Sequence, residues 1–192
     1  EHGDPAAVAA TIRAAGVSVA HFVPSLLRTF LAHPAAAGTA GILQRVFCSG
    51  EALPSDVARD CLGLIGGELW NVYGPTEAGI ECSYWRYNPD EPGATVPIGR
   101  PSPGTRLHIV DASGRPVPVG VPGDLWIAGN QVGLGYLKRP ELTGERFRAL
   151  SGLESSGLAY ATGDIARWRD DGAIEFLGRA DSQIKLRGFR IE

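Results

Sequence analysis

The stretch Asn71-Val72-Tyr73-Gly74-Pro75-Thr76-Glu77 carries the chain out of an apolar run and into a turn. Leu69-Trp70 leads in and has the character of a buried strand's end, and Gly74-Pro75 reverses the chain. Thr76-Glu77 then stands where a helix is expected to begin. A helix start offers free N–H groups and partial positive charge, which suit a phosphate. The Thr76 hydroxyl can donate to the same anion. Glu77 beside a phosphate requires a cation between them, and a carboxylate plus phosphate oxygens is the usual way of holding Mg2+. Tyr73 offers a flat face to a base and Asn71 an amide to a base edge. The same residues also suit an ordinary strand–turn–helix with a Thr cap and a first-turn Glu.

The segments around this stretch set the architecture. Residues 5–15 are Ala-rich with apolar residues at helical spacing, and Gly16 ends them. Residues 17–23 form a β-rich run, followed by a helix from Pro24 with Leu26, Leu27, Phe30 and Leu31 on one face. Residues 43–49 and 68–72 are further strands, with a helix at 54–62 between them. Strands alternating with helices predict a parallel α/β arrangement, whose ligands sit beyond the carboxyl ends of the strands. Three such ends are 21–24, 47–50 and 72–74.

After Tyr87 the texture changes. The loop 88–93 marks a boundary. Short strands at 106–110, 124–128, 165–168 and 173–177, separated by Gly- and Pro-bearing turns, predict a small, distorted antiparallel barrel, interrupted by a helix near 141–147. The expected division is 1–90 for the βα part, 91–179 for the barrel and 180–192 for a hinge.

Composition narrows the function. The 192 residues are 44% hydrophobic, enough for a core, and the net charge of −3 without basic clusters disfavours a nucleic-acid partner. No apolar run approaches the ~20 residues of a membrane helix, and no signal peptide opens the chain. Cys48, Cys61 and Cys82 lack metal-type spacing and suit a reducing cytoplasm.

Five ordered blocks resemble one family. Asn-x-Tyr-Gly-Pro-Thr-Glu is similar to the signature of amino-acid adenylation domains of non-ribosomal peptide synthetases, within the adenylate-forming superfamily. Arg45-Val46-Phe47-Cys48-Ser49-Gly50-Glu51-Ala52-Leu53 precedes it. Gly123-Asp124-Leu125-Trp126-Ile127-Ala128-Gly129 running to Gly135-Tyr136-Leu137, then Tyr160-Ala161-Thr162-Gly163-Asp164, then the block from Gly178 to Glu192, follow in the family's order. The resemblance implies the last part of the large core subdomain, with Gly50 and Gly74 at the nucleotide. Tyr73 stacks on adenine, Asn71 reads its edge, Thr76 holds the α-phosphate and Glu77 binds Mg2+. Asp164 grips the ribose, Arg179 contacts the nucleotide, and Phe176 takes the place of a usual Tyr, without its hydroxyl. Asp181 matches the hinge to a mobile lid. Lys185 and Arg187, alternating with Ile184 and Leu186, also suit a solvated strand face.

The resemblance places the substrate pocket at His21, Phe47, Ser49, Val72, Ile80 and Glu81. His21 and Ser49 are similar to serine-activating members, while Glu81 replaces a shorter Asp and would equally answer a diamino acid. The implied reaction uses ATP and a phosphopantetheine thiol on a carrier-protein domain. An MbtH-like protein is a further implied partner near 123–147, although Gly144 replaces the family's Ala in Leu142-Thr143-Gly144-Glu145-Arg146-Phe147. A phosphate loop ending in Lys-Gly, the Asp for the substrate amino group and the lid Lys are not in the sequence. The chain opens on Glu1 rather than Met and stops on Glu192 inside a motif, so both ends look cut, and little or no turnover is expected from the chain alone. A ligase for acyl-CoA or aryl acids, or a nucleotide-binding docking remnant, are the alternative readings.

Overall fold

The computed structural model describes residues 3–150, 157–181, 184–186 and 189–191, without side chains for the last two segments. Its chain divides into two compact units. The first comprises 1–72, 85–96 and 184–192, and the second 73–84 and 97–183. The division is discontinuous in sequence, because the chain passes from one unit to the other several times.

In the first unit, α1 (Pro5–Ala15) is bounded by its own residues. Asp4 accepts from the Ala6 N–H, Pro5 occupies the first turn, and Gly16 closes the helix at φ +63°. Strand β1 (Val19–Phe22) leads to α2 (Pro24–Leu31), and β2 (Arg45–Cys48) to α3 (Ser55–Leu64). Strand β3 (Glu68–Tyr73) begins in this unit, with Tyr73 the first residue of the second. β1, β2 and β3 run parallel in that order, with His21 opposite Phe47 and Cys48 opposite Asn71. Leu27, Phe30, Val46, Cys48, Val57, Cys61 and Leu69 fill the core between sheet and helices.

The second unit is a curled antiparallel sheet. Ser83 and Tyr84 of β4 (Ser83–Arg86) pair with β5 (Arg100–Pro101). The main sheet has β6 (Thr105–Val110), β7 (Gly123–Gly129), β9 (Leu158–Trp168) and β10 (Ile174–Arg179) in the order β10-β9-β7-β6, and β8 (Phe147–Ala149) pairs with β9. Helix α4 (Pro140–Arg146) precedes β8. Leu107, Ile109, Leu125, Ile127, Ala166 and Ile174 form its core with Tyr73. A last hairpin joins β11 (Ile184–Leu186) to β12 (Phe189–Ile191). The side chain of Lys185, and Arg187 altogether, lie outside the described residues.

The expected α/β class with parallel βα units and an antiparallel half-barrel is the fold observed. Two details differ. The predicted helix at Thr76 is a single 3-10 turn, Thr76–Ala78, which Gly79 closes at φ +76°. Three residues cannot build a helix dipole, so an anion there would rely on individual donors. The strand predicted at 165–168 is an eleven-residue strand that includes the Tyr160–Asp164 block. No helix among the described residues is long and apolar enough to cross a membrane.

The three thiols are free and buried. Burial pushes Cys48 upward, and Cys61 and Cys82 up to about 12. Thiols of the unfolded chain ionise near pH 8.5. The native state therefore holds these protons longer, and its stability, intact below that range, falls as pH rises from about 9 toward 12. An aromatic disulfide reagent at pH 8 is expected to modify none of the three before unfolding and all three after. Prompt labelling of the native protein would contradict the buried placement.

Candidate active site

In the second unit the chain turns at Gly74 because nothing larger fits. A Cβ there would lie 2.3 Å from the Ile80 carbonyl oxygen and 2.9 Å from the Cys82 nitrogen. The Cys82 N–H donates to the Tyr73 carbonyl at 2.7 Å and the Ile80 N–H to that of Pro75 at 3.1 Å. These bonds fold residues 74–82 into a tight loop and hold Ile80 at φ +73°. A β-branched residue in that region costs roughly 1–3 kcal/mol, and Ile80 is nevertheless more than half exposed. Thr76 and Glu81 are exposed on the same loop, and Glu77 is half-buried.

Tyr73 is 8% exposed, with its ring in the core and its hydroxyl donating to Asp164 at 2.5 Å. Burial and the Asp164 charge raise the phenol well above its ordinary range. Asp164 also accepts from Arg179 Nη1 at 2.7 Å. The other edge of the guanidinium forms two 2.7 Å bonds to Asp181. The hydrogen bond to Asp181, with the charge of Asp164, holds Arg179 protonated and above its usual range against the effect of burial. Arg146 stands 3.8 Å from Asp181.

Two strand irregularities create this arrangement. Between β9 and β10, Phe176 faces Ala166, but Gly178 faces Ile165 and Arg179 faces Asp164. Regular pairing would have set Gly178 opposite Asp164. The bulge advances the register by one residue and brings a cation to the carboxylate. Between β7 and β9 the pairing jumps from Asp124–Ile165 to Trp126–Ala161. The excursion is held by the Thr162 hydroxyl, which donates to Leu125 O and accepts from the Asp164 N–H.

In the first unit, His21 Nε2 and Ser49 Oγ lie 2.7 Å apart at the carboxyl ends of β1 and β2. Phe47, two residues before Ser49, is half-buried, and Val72 is buried. Gly50 follows Ser49 at φ +88°. The Asn71 amide nitrogen donates to Val96 O at 3.1 Å, in a residue only 2% exposed. The loop after β2 is tied to α2 by Glu51, which accepts from both the N–H and the hydroxyl of Ser25. This carboxylate caps a helix that has no side-chain cap of its own.

Comparison with known proteins places these residues in context. The model of the AMP-binding enzyme family matches residues 1–137. The chain belongs to the AMP-binding enzyme family. It is 50% identical over 193 residues to phosphinothricin tripeptide synthetase PhsB of Streptomyces viridochromogenes, covering all of this chain and 16% of that protein. It is 46% identical over 198 residues to enterobactin synthase component F of Escherichia coli K12, again over its whole length and 15% of the relative's. The chain thus spans about one-sixth of these synthetases. Its fold matches an artificially fused adenylation–PCP di-domain, NpsA-ThdA from Klebsiella oxytoca, with a TM-score of 0.88 and 28% identity over 98% of this chain and 38% of that one.

Within this AMP-binding fold, Tyr73, Asp164, Arg179 and Asp181 form one bonded set in the second unit. Phe176 packs half-buried against the same core. Thr76, Glu77, Ile80 and Glu81 share the loop after Gly74, while His21, Phe47, Ser49, Gly50, Asn71 and Val72 belong to the first unit. Sequence reasoning missed Tyr136, whose hydroxyl donates to Glu77 Oε1 at 2.8 Å across 59 residues of chain, and the Glu51–Ser25 clamp. The Glu51 clamp had a signal, an acid after Ser49-Gly50 and a helix lacking its own cap. The Tyr136 contact had none.

Proposed function

We propose that this chain is part of an amino-acid adenylation domain of a non-ribosomal peptide synthetase. The observation that carries the reading is the buried Asp164, bonded to Tyr73 and Arg179. An ionised carboxylate accepts from both hydroxyls of a ribose diol, and the identity to two synthetases extends over the whole chain. In the reaction, a carboxylate oxygen of the amino acid attacks the α-phosphorus of ATP. The bond from that phosphorus to the pyrophosphate oxygen breaks, leaving aminoacyl-AMP and pyrophosphate. A phosphopantetheine thiol of a carrier domain then loses its proton and attacks the acyl carbon, expelling AMP. Placement and charge neutralisation dominate such chemistry.

Thr76 would donate to the α-phosphate. The described residues hold no cluster of three or more His, Cys, Asp or Glu suited to caging a metal. Glu77, one half-buried carboxylate, fits instead an Mg2+ shared with nucleotide oxygens. Such an ion supplies charge neutralisation at the phosphates. An MbtH-like protein near α4 and a cytoplasmic setting complete the reading.

Specificity follows from His21 and Ser49. Their 2.7 Å contact presents a donor and an acceptor at one strand end, and Phe47 would limit depth. A site built to hydrogen-bond a hydroxyl rejects the analogue lacking it by roughly 10⁴-fold. Pyrophosphate exchange by the full-length protein should therefore favour serine clearly over alanine, in assays that also include threonine, 2,3-diaminopropionate and ornithine. A lead for a diamino acid that Glu81→Gln abolishes would replace serine as the substrate. Exchange with aryl or fatty acids only would overturn the amino-acid reading.

A further inference from the structure

The segment after β7 returns to the loop that carries Glu77 and touches it twice. The Gly133 N–H donates to the Glu77 carbonyl at 2.8 Å, and the Tyr136 hydroxyl donates to the Glu77 carboxylate at 2.8 Å. Tyr136 is itself fixed from behind. Its N–H donates to Thr143 Oγ1 at 2.9 Å, and the Thr143 hydroxyl donates to Arg139 O at 2.8 Å. Gly135, at φ +131°, permits this approach, since a Cβ there would fall 2.3 Å from Thr143 Cγ2. The Tyr136 ring meets Phe147 edge-on at 5.4 Å, and Phe147 packs on Tyr160 at 5.0 Å.

We propose that Tyr136 is a positioning residue that aims the Glu77 carboxylate at the cation accompanying the nucleotide. The proposal rests on the reading of Glu77 given above. A phenol is suited to this task. It orients a carboxylate through a charge-assisted hydrogen bond, yet, unlike Lys or Arg, brings no positive charge to compete with a metal ion. One carboxylate oxygen is thereby directed by protein, which sets the direction of the other. Without the phenol this bond to the carboxylate is lost, and the fraction of Glu77 oriented for the cation is expected to fall. Helix α4 takes part through Thr143, which makes the hydroxyl of the Leu142-Thr143 block a support for the site rather than only a helix-start residue.

The test uses the full-length protein and Mn2+ as the probe, titrated by paramagnetic resonance with saturating α,β-methylene-ATP. Tyr136→Phe keeps the ring against Phe147 and removes only the O–H. Mn2+ binding is expected to weaken about tenfold, the size of losing one hydrogen bond to a charged group. The Mg2+ midpoint of pyrophosphate exchange should move by the same factor, while the amino-acid KM stays put and the melting temperature falls by no more than the loss of one hydrogen bond implies. In a Glu77→Gln background the same substitution should add nothing, because the two residues act as one unit. Wild-type Mn2+ affinity in Tyr136→Phe, alongside weakened affinity in Glu77→Gln, would overturn the positioning role and leave Glu77 as the ligand. Unchanged affinity in Glu77→Gln would sink the Glu77 reading and this inference with it. A lowered melting temperature with unchanged Mn2+ affinity would make Tyr136 purely structural, which also overturns it.

Discussion

Glu77→Gln in the full-length protein is expected to lower amino-acid-dependent pyrophosphate exchange by about 10²–10³-fold, the size of removing one preorganised electrostatic partner from the reacting group. The substitution preserves shape. Gln retains an oxygen that can accept from Tyr136, and the backbone bond between Gly133 and residue 77 does not involve the side chain. The 3-10 turn and its loop should therefore survive, and the melting temperature should match the wild type. What disappears is the negative charge. The defect should be largest at limiting Mg2+ and partly relieved at high Mg2+. Wild-type exchange at limiting Mg2+ would remove Glu77 from the reaction.

Arg179→Ala should produce the largest loss of stability. The Asp164 side chain is only 6% exposed, and that of Arg179 only 13%. Removing one partner of a buried ion pair costs about 3–5 kcal/mol, because the remaining charge is left without its compensation. Tyr73 would still donate to Asp164, but a neutral phenol does not neutralise a carboxylate. The loss should be visible as a drop in the thermal and urea midpoints of the protein. The double variant Asp164→Asn/Arg179→Met removes both charges and is expected to recover much of that stability while remaining unable to bind nucleotide well. If Arg179→Ala melts like the wild type, the pair does not carry the load assigned to it, and Asp181 or solvent must already screen Asp164.

The first unit is where local sequence and structure agree most closely. The signals that bound α1 are all contained within residues 4–16: an Asp cap, a Pro in the first turn and a Gly able to adopt φ +63°. The strands at 19–22, 45–48 and 68–73 are short, largely apolar stretches alternating with helical segments, so a parallel βα arrangement is readable from pattern. His21 and Ser49 share a strand end for the same reason. Two adjacent parallel strands each stop there, and the register sets His21 beside Phe47, two residues before Ser49.

The chemistry around Asp164 was legible only as residue types. Thr162-Gly163-Asp164 and Gly178-Arg179 are visible in the sequence, but their partnership depends on a one-residue bulge, which period-2 patterning does not encode. Likewise, the helix expected at Thr76 fails although Thr and Glu favour a helix start. Cys82 and Ile80 pull the backbone back onto residues 73–75, and Gly79 closes the turn after three residues. The Tyr136–Glu77 contact joins positions 59 residues apart. The sequence by itself determined the βα elements of the first unit and the chemical inventory, because capping, periodicity and turn preferences act over a few neighbouring residues. Only tertiary structure decided which phenol meets which carboxylate and which cation stands opposite Asp164, because those pairings depend on strand register and close backbone approach between segments far apart in the chain.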